Sequence, residues 1–133
     1  MSGDLVNLLP PGFQTNSGEM AWPKEAIPQV LATCVGLRLA VIGGEIWTVF
    51  PDGRIYGDVF AKDGGPAGVY YWSVDCRENE SWLDFVVRAA NETASEITRL
   101  NAEDWTKPEL ISYLRYNLTI SEEGERQSLH NET

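Results

Sequence analysis

Apolar positions along this chain follow two different periods, and the switch between them outlines a fold. From Leu37 to Asp75 the spacing is close to two, as in a strand whose side chains alternate between faces. Four runs carry that pattern: LRLAVI (37–42), EIWTVF (45–50), RIYGDVF (54–60) and VYYWSVD (69–75). In the last run Tyr70, Trp72 and Val74 share one face, and Tyr71, Ser73 and Asp75 share the other. Turn chemistry separates the runs. Gly43-Gly44 permits a tight turn because glycine tolerates positive φ. In Pro51-Asp52-Gly53 the proline presets φ and the glycine takes the left-handed position. AKDGGPAG (61–68) reads as a flexible loop, and Gly57 as a bulge or a close approach by another backbone.

A period of 3.6 frames this block on both sides. In WPKEAIPQVLATCVG, residues Ile27, Val30, Leu31, Cys34 and Val35 recur at helical spacing. Pro23 and Pro28 delay the start, and Gly36 suits the position after the end, so the expected helix spans about 24–35. The second helix is stronger. Ser81 is a cap residue with Asp84 three positions later, and Trp82, Phe85, Val86, Ala89, Ala90, Thr93, Ile97 and Leu100 fall on one face. Asp84, Arg88, Asn91, Glu92, Ser95 and Arg99 fall opposite, over a helix of about 81–103.

The ends are less regular. Residues 1–21 read as a leader with the composition of a flexible segment, broken by Pro10-Pro11, although Leu5, Val6, Leu8, Leu9 and Phe13 suit packing on a neighbouring surface. In 110–120, Leu110, Leu114, Tyr116, Leu118 and Ile120 share one face of a strand, which is the favoured reading, while Thr106 and Pro108 could instead start a short helix. The expectation is therefore a leader (1–21), a single domain (22–120) and a charged tail (121–133). Its class is α+β: an antiparallel β-meander of four or five strands packed against one long and one short helix.

Charge narrows the function. The 133 residues carry a net charge of −10, and the surplus sits after residue 40: seven acids against three bases in 41–80, ten against five in 81–133. Such a field repels nucleic acid and anionic membranes and steers association toward basic surfaces. The opening MSGDLVNLLPPGF has no basic n-region or cleavage site, and no run approaches the ~20 apolar residues of a membrane span, so a cytoplasmic location is expected. Cys34 and Cys76 then read as two reduced thiols.

The familiar catalytic constellations are missing. The one histidine, His130, lies near the end; Gly43-Gly44 and Gly64-Gly65 are followed by no phosphate-loop motif; no Cys/His spacing suits zinc. No enzyme, metal or cofactor is expected. A one-layer sheet packed on helices leaves its far face open, so some aromatics should lie exposed there among carboxylates, as in a hot spot for a basic partner. The expected contact residues are Glu45, Trp47, Asp52, Tyr56, Asp58, Asp63, Tyr71 and Asp75, on the exposed sheet face and hairpin tips.

The order of the pieces also resembles a known family. A short helix leads to Gly43-Gly44-Glu45-Ile46-Trp47, then a turn, a short strand and the aromatic Tyr70-Tyr71-Trp72; a helix with Glu80-Ser81-Trp82, Phe85-Val86 and Arg88-Ala89 closes the pattern, with Phe85 where a Tyr is expected. Over about 22–100 this resembles immunity protein family 40, antidotes in bacterial polymorphic toxin systems. The resemblance implies a cytosolic protein that binds and inhibits one cognate toxin domain, and it transfers no catalytic residues. An acidic phage-type DNA mimic that blocks a nucleic-acid enzyme, and a small-ligand-binding α+β domain, are the alternatives that the residues leave open.

Overall fold

A computed structural model describes residues 7–63 and 65–124. Strands are β1 (Phe13–Gln14), β2 (Met20–Trp22), β3 (Ala40–Val49), β4 (Ile55–Tyr56), β5 (Val59–Phe60), β6 (Pro66–Gly68), β7 (Tyr71–Ser73) and β8 (Leu114–Ser121). Helices are α1 (Ile27–Gly36), α2 (Trp82–Leu100) and the single turn α3 (Ala102–Trp105). The main sheet is antiparallel in the order β1-β2-β8-β3-β4, with β7 also pairing β3, and β5-β6 form a separate hairpin. The expected class holds: an antiparallel sheet covered on one face by a long and a short helix. The strand order is not sequential, because β8 from the far end of the chain lies between β2 and β3. The stretch before residue 22 joins the sheet through β1 and β2, and Leu9 is buried in the core. Leu5, Val6, His130 and most of the charged tail lie outside the described residues.

Two expectations fail at β3 and β4. The runs 37–42 and 45–50 are not separated by a turn: β3 passes straight through Gly43-Gly44, with only a register shift between Val41 and Gly43. The glycines serve close approach instead. A methyl group added at Gly44 would lie 2.5 Å from the Trp72 indole and nearer still to the Asn117 carbonyl oxygen; one at Gly43 would lie 2.7 Å from the Trp72 carbonyl oxygen. The run 54–60 is likewise not one strand. It divides at Gly57-Asp58 into β4, paired with β3, and β5, paired with β6. No atom crowds Gly57, so close approach does not explain it.

α2 begins and ends as its sequence dictates. Ser81 is extended, and its hydroxyl accepts from the Asp84 amide at 3.1 Å. Asn101 closes the helix in the left-handed region (φ 47°), which asparagine tolerates better than most residues. Phe85, Val86, Ala89, Ala90, Thr93 and Ile97 are buried, as the spacing predicts. α1 starts with Pro28 in its first turn, where the missing amide costs no hydrogen bond. Its left-handed exit residue is Arg38 (φ 61°), while Gly36 remains in the last turn.

The core lies between these helices and the face of the sheet bearing Trp22, Ile46, Trp72, Leu114, Tyr116 and Leu118. Full burial of each large side chain contributes about 1.5–3 kcal/mol. Its polar groups are paired: the Trp72 indole N–H donates to the Thr93 hydroxyl at 3.2 Å, that of Trp22 to the Pro10 carbonyl at 2.8 Å, and the Thr48 hydroxyl to the Asp58 carbonyl at 2.8 Å. Neither Cys34 nor Cys76 forms a disulfide, and burial pushes the Cys34 thiol up to about 12.

Two substitutions test this account by denaturant melts. Gly44→Ala forces β3 and Trp72 apart and should cost about 1–3 kcal/mol or more, as overpacking does. Thr93→Val keeps the shape but strands a buried indole N–H, with an expected loss of about 1–3 kcal/mol.

Candidate functional site

The face of the sheet away from the helices is organised by register. Phe13, Ala21, Asn117, Glu45 and Tyr71 pair in turn across β1, β2, β8, β3 and β7, so they form one row on that face. Trp47 and its cross-strand partner Arg115 lie on the same face, as does Ser73. Asp75 follows β7 at the same parity and is exposed. Glu45, Trp47, Tyr71 and Asp75 are thus placed on one surface. Tyr71 is 70% exposed, an aromatic ring offered to solvent. Trp47 departs from the expected exposed anchor: it is only 5% exposed. Its indole N–H is satisfied by Glu45 Oε1 at 2.7 Å, so the pair lies along the sheet rather than projecting from it.

The other expected residues are spread along a margin of the fold. Asp52 sits at the β3–β4 turn, where Gly53 has φ 93°. Its carboxylate accepts from the Arg54 amide at 3.1 Å and pairs with Arg54 Nε at 2.7 Å, and these bonds hold its pKa below the ordinary carboxylate value. Asp52 therefore shapes the turn. Arg54 also lies 4.9 Å from the centre of the Phe50 ring, in an aromatic cluster of Phe50, Tyr56, Phe60 and Tyr113. Tyr56, expected as a free contact, packs edge-on to Phe50 and Phe60. Asp63 accepts from the Gly65 amide at 2.9 Å inside its loop. Among the described residues the carboxylates of Asp58 and Asp75 have no hydrogen-bond or ion-pair partner, which leaves both free for a ligand or a partner protein.

The structure adds residues that the sequence did not single out. Trp105 (55% exposed) and Val69 (54% exposed) stand out from the surface. Trp105 lies 6.5 Å from Tyr70, ring centre to ring centre. Tyr70 in turn is tied to β3, its carbonyl accepting from the Ile46 amide at 3.0 Å. The α3 segment is joined to β5 by the Lys107 amide on the Phe60 carbonyl at 2.8 Å. Trp105 thus stands against Tyr70, on the opposite side of β7 from Tyr71, and Asp58, whose carbonyl takes the Thr48 hydroxyl, lies toward the other end of β3 from Asp75. A tryptophan set among Asp104, Thr106 and Lys107, outside both periodic patterns, was the available signal.

A second cluster is structural. The Arg88 guanidinium forms two bonds to Glu80, both 2.8 Å, one to Glu92 at 2.9 Å and one to the Asp75 carbonyl at 2.5 Å. Glu80 also accepts from the Arg77 amide at 2.9 Å. Arg88 foremost, then that amide, hold the Glu80 carboxyl down at about 2. The network fastens the 75–80 loop to α2 and so fixes where Asp75 stands.

Two open grooves of about 620 Å³ each flank the sheet's other end. One has Phe13, Phe50, Pro51 and Tyr113 in its walls and no carboxylate. The other includes Glu25 and Glu103, the latter ion-paired with Lys24 at 3.0 Å. Among the described residues no group of three or more His, Cys, Asp or Glu is placed to hold a metal ion, and no helix is long and apolar enough to cross a membrane.

The family model described as immunity protein 40 matches residues 12–113. The chain belongs to the immunity protein 40 family. Immunity proteins are bacterial antitoxins, and membership implies a cognate toxin as partner. The match begins just before β1 and ends at Tyr113, so it takes in the β1–β2 stretch as well as the β3–α2 block that carried the sequence resemblance. No curated protein and no solved structure matches the chain.

The Glu80–Arg88 network makes a pH prediction. The folded Glu80 carboxyl titrates below its ordinary value of 4.5, so its contribution is fully present above that pH and lost as pH falls toward about 2. Glu80→Gln should therefore be less stable than wild type in urea melts at neutral pH. The gap should shrink steadily between pH 4.5 and 2.

Proposed function

We propose that this immunity protein is a stoichiometric, non-catalytic inhibitor that acts in the cytoplasm of the cell that makes it. It binds one cognate toxin domain and sterically occludes the toxin's active or substrate site. The observation that carries this reading is the β7 side of the sheet, where the exposed Tyr71 ring and the unpaired carboxylate of Asp75 share the helix-free face. Exposed apolar side chains grouped beside charge are the composition of a binding surface, with aromatic anchors for affinity and carboxylates for steering. The net charge of −10 supports a toxin surface rich in Lys and Arg. Asp52 and Glu80 contribute to that field but are already bonded within the fold, so they are weaker candidates for direct contacts.

The test is co-expression with the product of the adjacent gene, with pull-down and growth rescue as readouts. Wild type should form a complex and restore growth. Tyr71→Ala should weaken binding by about 2 kcal/mol, as a central aromatic anchor does. Reversing Asp58 and Asp75 together to Lys should slow association and flatten its salt dependence. A tight complex indifferent to both changes moves the interface to α2 or to the tail, and absence of any complex overturns the reading.

A further inference from the structure

The outer edge of β7 is a second kind of binding feature, made of backbone rather than side chains. β7 pairs with β3, and among the described residues no strand covers its other edge. The phase of the pairing is fixed. Gly44 lies opposite Trp72, the Ile46 amide donates to the Tyr70 carbonyl at 3.0 Å, and the Val74 amide donates to the Ile42 carbonyl at 2.9 Å. Tyr70, Trp72 and Val74 therefore direct their backbone groups at β3. Antiparallel alternation turns the amides and carbonyls of Tyr71 and Ser73 outward. Both residues are exposed, and among the described residues no other strand pairs with those groups.

Open edges are usually blunted by proline, lysine, a bulge or a covering element. The opposite edge of this sheet is protected in that way: β1 is two residues long and closely follows Pro10-Pro11. β7 is itself only three residues long, but it carries Tyr, Trp and Ser, with no proline, lysine or bulge along it. The Arg88 bond to the Asp75 carbonyl closes the edge at one end and holds it in place.

We infer that the outer edge of β7 receives an extended segment of the cognate toxin as an added strand, with Lys or Arg over Tyr71 and beside Asp75. This rests on the inhibitor reading and specifies how that partner is held. The register sets the chemistry. A strand added to β7 continues the row Phe13, Ala21, Asn117, Glu45, Tyr71, so alternate side chains land on the helix-free face next to the exposed Tyr71 ring and the free Asp75 carboxylate. A ring face and a carboxylate both select a cation. Backbone bonds supply the affinity and those side chains the specificity, as in strand addition generally.

The test uses the complex of the full chain with the toxin domain encoded next to it. Ser73→Pro removes one outward amide and places a ring at the edge, where proline is compatible with a strand. It should lower affinity about tenfold or more, whereas Ser73→Ala should stay within about twofold of wild type. Should Ser73→Pro not fold, amide exchange of the wild-type protein decides: Tyr71 and Ser73 amides should slow at least about tenfold on complex formation. A complex that forms while both amides still exchange freely, or that tolerates Ser73→Pro unchanged, overturns the edge inference alone. Failure of the wild type to bind overturns the inhibitor reading, and the edge inference with it.

Discussion

Much of this fold hangs on the seating of the Trp72 indole against Gly44. The ring lies where a methyl group on that glycine would be, and the absence of side chains at Gly43 and Gly44 lets β7 sit tightly on β3. From there the indole N–H reaches the Thr93 hydroxyl on α2. One side chain therefore ties two strands to the helix that covers them. The energies are unequal but cooperate: burial of a large aromatic ring contributes a few kcal/mol, and the hydrogen bond chiefly avoids the cost of a buried, unpaired donor.

The same seating decides what faces outward. Strand parity leaves no choice once Trp72 points inward with Tyr70 and Val74. Tyr71, Ser73 and Asp75 must then lie on the helix-free face, with the amides of Tyr71 and Ser73 at the edge. A packing constraint in the core thus presents the aromatic ring and the carboxylate that the proposed interface uses. Arg88 completes the arrangement from the other side. It gathers Glu80, Glu92 and the Asp75 carbonyl on one guanidinium, and so holds the loop after β7 against α2.

Acidic residues fall into two groups that composition cannot separate. Asp52, Asp63 and Glu80 accept hydrogen bonds from nearby backbone amides and shape turns or a cap. Glu45 holds the indole of Trp47. Asp58 and Asp75 keep free carboxylates. The field that would draw in a basic toxin is a property of all of them, while direct contact falls to the few that the fold does not already use.

Local rules alone determined the two helices, the Ser81 cap, the buried stripe of α2, the Pro51-Asp52-Gly53 turn and the alternation through Tyr70–Asp75, because each depends on neighbours within a few residues. The α+β class and the acidic character followed from the same reading, and the family resemblance rested on motifs in that block. Tertiary structure decided the rest. Gly43-Gly44 has the composition of a turn, and only the arrival of Trp72 and the Asn117 carbonyl makes it the middle of a strand. β8 sits at the centre of the sheet through pairings with residues more than sixty positions away, beyond the reach of any local pattern. Exposure of Trp105 and burial of Trp47 were equally hidden. Periodicity tells which side of an element a ring takes, and only the packed fold tells what lies against that side.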